Sequence, residues 1–254
     1  MYRTAPPAIG RTNGVLPLRL DRLVRRRFAA GGSRTDDPEL HEYFADLAAL
    51  HGIGYRPEVL RRGTGNTFAG MAAAMLDGLD PVDVVIIAHA TPDLDPRVSA
   101  GAGASHRFAG KPLVFAVMDQ ACSAAFTAIR LAGEYVRRHS CRRALVLVFD
   151  QSTVPYESAA ELDGDAAVAL HFGFDPGGRV RTGRIPGVDP GEVARVADGI
   201  GSGLPVIGLG QPDRRVPATG IWGAYEPAAG AVLVHHDRPR AQLSYCAIDA
   251  NEAT

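Results

Sequence analysis

The chain is poor in cysteine, lysine and tryptophan. Its 254 residues include three cysteines, one lysine (Lys111) and one tryptophan (Trp222). Cys122, Cys141 and Cys246 are odd in number and widely spaced. That spacing offers no disulfide framework and no metal-ligand pattern, and it suits a reducing cytoplasm. No apolar run is long enough to span a bilayer, and no N-terminal apolar core follows the early charges. Neither a membrane partner nor a targeting segment is therefore expected. An excess of either charge is missing too. The formal net charge is −1, which predicts no broad attraction to nucleic acid. The local exception is Arg25-Arg26-Arg27, which reads as a solvated helix face, with a phosphate contact as the alternative. The GTGN stretch ending at Asn66 lacks the Gly-Lys-Ser/Thr of a phosphate loop.

The composition is 46% hydrophobic, enough for one large domain or two fused halves. Residues 113–150 organise the rest. Leu113–Val117 is an apolar run and Met118-Asp119-Gln120 a polar bend. Ala125, Phe126, Ile129, Ala132, Tyr135 and Val136 then recur at three- and four-residue steps, the period of a buried helix face. Arg137, Arg138 and His139 end that helix, where cations suit the negative end of the dipole. A second apolar run, 144–149, leads to Asp150. The order is strand, sharp turn, helix, strand, with Cys122 at the turn. A thiol at a helix N-terminus faces unpaired N–H groups and the positive end of the dipole, and both favour the thiolate. The same N–H groups can hold the oxyanion formed when a thioester carbonyl is attacked. The other reading of Cys122 is a small buried hydrophobe.

The flanking chain alternates helices and strands. Ile9 to Leu20 hold a first strand and a loop. Asp36-Asp37-Pro38 opens a helix that Gly52 ends, and Thr67 caps a second that stops at Gly78. Residues 83–89 are a β-branched run of the kind buried on both faces of a sheet. A short helix is expected over 98–108 and another over 192–198. Residues 163–172 read as a strand, Asp175-Pro176-Gly177-Gly178 as a hairpin turn, and 179–187 as its antiparallel return. Residues 204–209 read as a buried strand, and 231–236 with 241–248 as a final hairpin. The alternation implies an α/β layered fold with a largely parallel sheet. A weak internal echo relates 83–89 to 204–210, and 163–185 to 223–248.

Four segments in order carry a resemblance to a known family. DVVIIAHATPDLDP, Cys122-Ser123-Ala124-Ala125 with its helix, CRRALVLVFD, and LDGDAAVALHF at Gly164-Asp165 resemble the thiolase-fold condensing enzymes, most of all β-ketoacyl-acyl-carrier-protein synthase III. The resemblance covers about residues 60–175. It implies a thiolase-like fold with helices around mostly parallel sheets. Residues 1–175 would form the half carrying the cysteine and 176–254 a shortened second half, packed as a single domain. It implies that Cys122 accepts an acyl group from coenzyme A or from the phosphopantetheine of acyl-carrier protein, with no bound cofactor and no metal. It implies a dimer, homomeric or with a related synthase, with Leu113–Val117 as the pairing edge. It places Ser123, Gly164 and Gly210 at the substrate.

The family also uses a histidine and an asparagine. Gly210 stands where its histidine is expected and Ile221 where its asparagine is. Decarboxylative condensation needs polar groups for the enolate, so it is disfavoured. Acyl transfer needs only a nucleophile and a base near the acceptor. Candidate bases are His89, at the carboxyl end of a strand, and Asp119, three residues before Cys122. His235 and His236 are further candidates, of which alternation turns one inward and one outward. Two functions follow. One is an acyltransferase in fatty-acid-like or polyketide metabolism. The other is a degenerate subunit that pairs with a full condensing enzyme.

Overall fold

The computed structural model describes residues 12–29, 31–62, 64–108, 110–138, 141–157, 162, 164–201, 203–209 and 215–250. Strands β1 (Thr12–Leu16), β2 (Leu18–Phe28) and β3 (Ser33–Arg34) precede helices α1 (Pro38–His51) and α2 (Pro57–Arg61). Then come β4 (Thr64–Gly65), α3 (Phe68–Leu76), β5 (Val84–His89), α4 (Ala100–Arg107) and β6 (Leu113–Val117). The central helix α5 (Ala124–Arg138) leads to β7 (Arg143–Asp150), β8 (Asp165–Phe174) and β9 (Val180–Pro186). The chain ends with α6 (Val193–Gly201), β10 (Val206–Ile207), α7 (Gly220–Gly223), β11 (Ala231–Asp237) and β12 (Gln242–Ile248). The punctuation acts as its chemistry requires. The Asp37 side chain accepts from the Glu39 N–H ahead of Pro38, Gly52 closes α1 at φ 65°, and Thr67 caps α3.

Two five-stranded sheets form the frame. The first runs β2-β8-β7-β5-β6, the second β1-β9-β12-β11-β10. Both are mixed. In the first sheet β6, β5 and β7 are parallel, in the second β10 and β11, and the remaining pairs are antiparallel. Read inward from β5 and from β10, the two sheets repeat one pairing order. The β7–β8 pair matches β11–β12, while β6 has no counterpart among the described residues of the second sheet. Helix α5 lies between the sheets. Ala125, Phe126, Ile129 and Val136 pack with Val84, Val146 and Leu170 on one side and with Leu233, Cys246 and Ile248 on the other. The outer layers are α3 with Phe68 and Met71 over the first sheet, and α6 with Val193 and Ala197 over the second. Three apolar runs expected to be neighbours are so: β5 lies between β6 and β7.

Four expectations change. The sheets are not mostly parallel: three of their strand pairs are parallel and five antiparallel, because β8 and β12 follow β7 and β11 with no crossover helix among the described residues. The Asp175–Gly178 turn makes no hairpin. β8 pairs with β2 and β7, and β9 with β1 and β12. Residues 12–28 run as one long partner, with Leu18 opposite Phe174 and Leu16 opposite Val180. The break at Pro17, which cannot donate to a ladder, passes both chains from one sheet to the other. Arg25-Arg26-Arg27 lies on strand β2, not on a helix face; Arg25 donates to the Trp222 carbonyl and Arg26 stacks on Phe28. The 204–209 strand shrinks to the half-buried pair Val206–Ile207, because it pairs with β11 alone.

Candidate active site

The turn before α5 carries strained backbone. Asp119 and Ala121 sit at φ 62° and 46°, the left-handed region that costs a residue with a Cβ about 1–3 kcal/mol. The reversal takes the chain from β6 into the 3-10 turn Ala121–Ser123 and on into α5. Cys122 is half-buried there, packed on the central core. The free N–H groups expected around its sulfur are partly spent. Ser123 N–H donates to the Gln120 carbonyl at 3.0 Å, and Ala124 N–H to that of Ala121. Burial, with the Asp150 charge adding to it, pushes the Cys122 thiol up to about 12. Position alone favoured the thiolate; the structure makes the resting group a neutral thiol, because desolvation outweighs the helix terminus. Cys141 is also raised by burial, and Cys246 is fully buried.

The second sheet meets this turn with a polar row. His235 on β11 is the cross-strand partner of Ser244 on β12, which is the partner of Arg184 on β9. Direct antiparallel partners project to one face. It is the inward face, shared with Leu233, Cys246 and Ile248. Ser244 Oγ donates to Ser123 Oγ at 3.1 Å. The Arg184 guanidinium donates to Gln120 Oε1 and Thr127 Oγ1, and Thr127 Oγ1 donates to Gln120 Oε1 at 2.6 Å. β11 itself lies against the Ala121–Ser123 turn. His236 faces the other way, its Nε2 donating to the Val188 carbonyl at 2.7 Å.

Asp150 closes the site at the end of β7. Its buried carboxylate accepts from the N–H groups of Ala218 (3.1 Å) and Thr219 (2.7 Å) and from the Thr219 hydroxyl (2.7 Å). That anchors α7 over α5, where the Trp222 and Phe126 ring centroids are 5.5 Å apart. Ile221, at the position where the resemblance puts an asparagine, is buried and apolar.

The other sequence candidates fall elsewhere. On β5, Val84, Ile86 and Ala88 face the central layer, and Val85 and Ile87 face α3 and α4. His89 follows the outward set: its ring centroid is 5.0 Å from that of Phe68, and its Nδ1 donates to the Thr91 carbonyl at 2.7 Å. Burial holds its imidazole below the usual value. His89 lines a cavity of about 580 Å³ beside β6. Asp93 shares that cavity, accepts from the Phe68 N–H at 2.9 Å, and is pushed up by burial to about 6. Asp119 is exposed, and its charge bears on His89. The structure thus groups His89 with Asp119 and does not bring His89 to the face that Cys122 occupies. Gly164 enters β8 at φ 145°, a conformation suited to glycine. Gly210 and His139 lie outside the described residues. Among the described residues no cluster of three or more His, Cys, Asp or Glu side chains could hold a metal, and no helix is long and apolar enough to cross a membrane. Arg184, Ser244 and Asp150 carried no sequence signal, because their roles depend on which strands pair.

No family model and no curated protein matches this sequence. Solved structures do. A 3-oxoacyl-(acyl-carrier-protein) synthase from Burkholderia xenovorans matches with a TM-score of 0.60 at 14% identity, over 96% of this chain and 97% of that one. The priming β-ketosynthase of a polyketide biosynthetic pathway matches with a TM-score of 0.56 at 14% identity, over 94% and 98%. The acyltransferase ChlB3 matches with a TM-score of 0.53 at 14% identity, over 92% and 98%. With two repeated mixed sheets enclosing a central helix, this chain has the thiolase-like fold of the β-ketoacyl-acyl-carrier-protein synthase III condensing enzymes.

Proposed function

We propose that the chain is a ketosynthase III-like acyltransferase. A thioester of coenzyme A or acyl-carrier protein loads Cys122, and a small molecule or carrier receives the acyl group. The observation that carries this reading is the seat of Cys122, on a strained turn at the head of α5 and met by polar side chains from the second sheet. The neighbours named as synthases, a priming ketosynthase and an acyltransferase support the same class. Ile221 in place of the family asparagine argues for transfer over decarboxylative condensation. The test is intact-protein and peptide mass spectrometry after incubation with acetyl- or longer acyl-coenzyme A and with acyl-carrier protein. An acyl adduct on Cys122 is expected. An unmodified Cys122 throughout would overturn the reading. That β6 has no counterpart among the described residues of the second sheet favours the other assignment, an accessory subunit. That assignment would be marked by co-purification of a larger synthase.

The same reading makes the chain a cytoplasmic dimer. β6 is an edge strand, with Leu113 (48%) exposed at its start and Met118 (46%) exposed just past its end. Pairing β6 with its copy across a two-fold axis would cover an open apolar edge. Sedimentation at micromolar concentration is expected to give a dimer, and a monomer there would refute the pairing.

A further inference from the structure

The neutral thiol of Cys122 leaves the proposed acyl transfer without an assigned base, and one histidine lies on the inward face of the strand that packs against its turn. We propose that His235 is the general base for Cys122, supplied by the β11–β12 hairpin. The inference rests on the acyltransferase reading and adds the residue that makes the thiol reactive.

Three observations converge on it. Register places His235 directly opposite Ser244, whose hydroxyl is bonded to Ser123, the neighbour of Cys122. Alternation on β11 puts Leu233, His235 and Asp237 on the face toward α5, since Leu233 packs in the central core while Val232 and Val234 pack toward α6. The strand that carries His235 lies against the Ala121–Ser123 turn itself. Asp237, on the same face, influences both groups: its charge opposes the loss of a proton from Cys122 and favours a protonated His235. Once the imidazole has taken a proton, this carboxylate stabilises the resulting cation. Asp237 is held by Arg240 at 2.6 Å. The charged groups around the pair are Asp237 on its own strand, Asp150 from β7, and Arg184 from β9, while His236 faces away but still acts on His235. Burial lowers the His235 imidazole from its usual value, so it is neutral and able to accept a proton at pH 7.

The step balances. Cys122 Sγ gives its proton to the neutral His235 ring as it attacks the thioester carbonyl. The carbonyl carbon gains the bond to Sγ, and the bond to the donor sulfur breaks. The departing thiolate takes the proton from the imidazolium, which regenerates the base. Transfer to the acceptor repeats the exchange, with the acceptor's O–H, N–H or S–H as proton source.

The experiment is the pH dependence of Cys122 alkylation by iodoacetamide, read peptide by peptide, together with acyl loading. In the native chain the alkylation rate is expected to rise through an inflection at or below the ordinary histidine value of about 6.5. In His235→Gln that inflection disappears, the rate at pH 7.5 falls at least tenfold, and acyl loading slows by a similar factor. In His235→Gly, added imidazole restores the rate. His89→Gln leaves the profile unchanged. Circular dichroism identifies a variant that has lost its fold, in which case imidazole rescue of the folded one decides. A native inflection that survives His235→Gln, or a His235→Gly variant that imidazole does not rescue, overturns the assignment. If the native chain shows the inflection but never loads an acyl group, the acyltransferase reading fails and the Cys122–His235 pairing stands. If it loads and His235→Gln loads equally fast, the reverse holds.

Discussion

Cys122→Ala is expected to eliminate the acyl adduct and to lower acyl transfer by about 10⁴-fold or more, as removal of a covalent nucleophile does. The fold should survive. Cys122 is half-buried at the edge of the central core, and alanine keeps its Cβ while losing one sulfur atom. That loss costs on the order of 1 kcal/mol, within the range of ordinary substitutions. The strain at Asp119 and Ala121 belongs to the backbone and is unaffected. The measurement is single-turnover transfer from an acyl-coenzyme A, beside a thermal melt. Full transfer by Cys122→Ala would remove the covalent intermediate and leave the accessory-subunit reading, or a chemistry without an acyl-enzyme.

Trp222→Ala is expected to destabilise the protein by about 3–5 kcal/mol, the cost of deleting a large aromatic from a packed core. Trp222 is 0% exposed, lies against Phe126 of α5, and sits in the short helix α7 that Asp150 anchors. The cavity would open beside Phe126, one helical turn along α5 from Cys122, so acyl loading should fall along with the midpoint of denaturant unfolding. Trp222→Phe should cost much less. The indole Nε1 has no partner among the described residues, so the smaller ring gives up no hydrogen bond and keeps most of the packing. A Trp222→Ala midpoint within experimental error of the native one would mean that α7 does not hold the central layer.

The legible parts of this protein are those whose cause is local. The hydrophobic runs at β5 and β7 and the period of α5 read directly, because burial on two faces or on one stripe leaves a mark in successive residues. Asp37, Pro38, Gly52 and Thr67 read equally well, because a cap bonds within three residues of itself. The seat of Cys122 between strand and helix was visible for the same reason. Its protonation state was not. The helix terminus is a local feature, whereas the burial that raises the thiol depends on tertiary packing, including that of β11, more than one hundred residues on, against the turn.

By itself, then, the sequence determined the layered class, the central strand–turn–helix–strand unit and the position of its one nucleophile candidate. It also showed, through Gly210 and Ile221, that the residues expected from the resemblance are absent. Only the tertiary structure decided which strands pair. Asp175–Gly178 has the residues of a hairpin turn, yet the long partner at residues 12–28 competes for β8 and β9 and draws them into different sheets. Pairing then decides everything with a period of two. It turns His89 out toward α3, turns His235 in toward α5, and lines up Arg184, Ser244 and His235 across three strands. A single-residue shift of register would reverse each of those directions, and register is a property of partner strands that no one strand carries in its own residues.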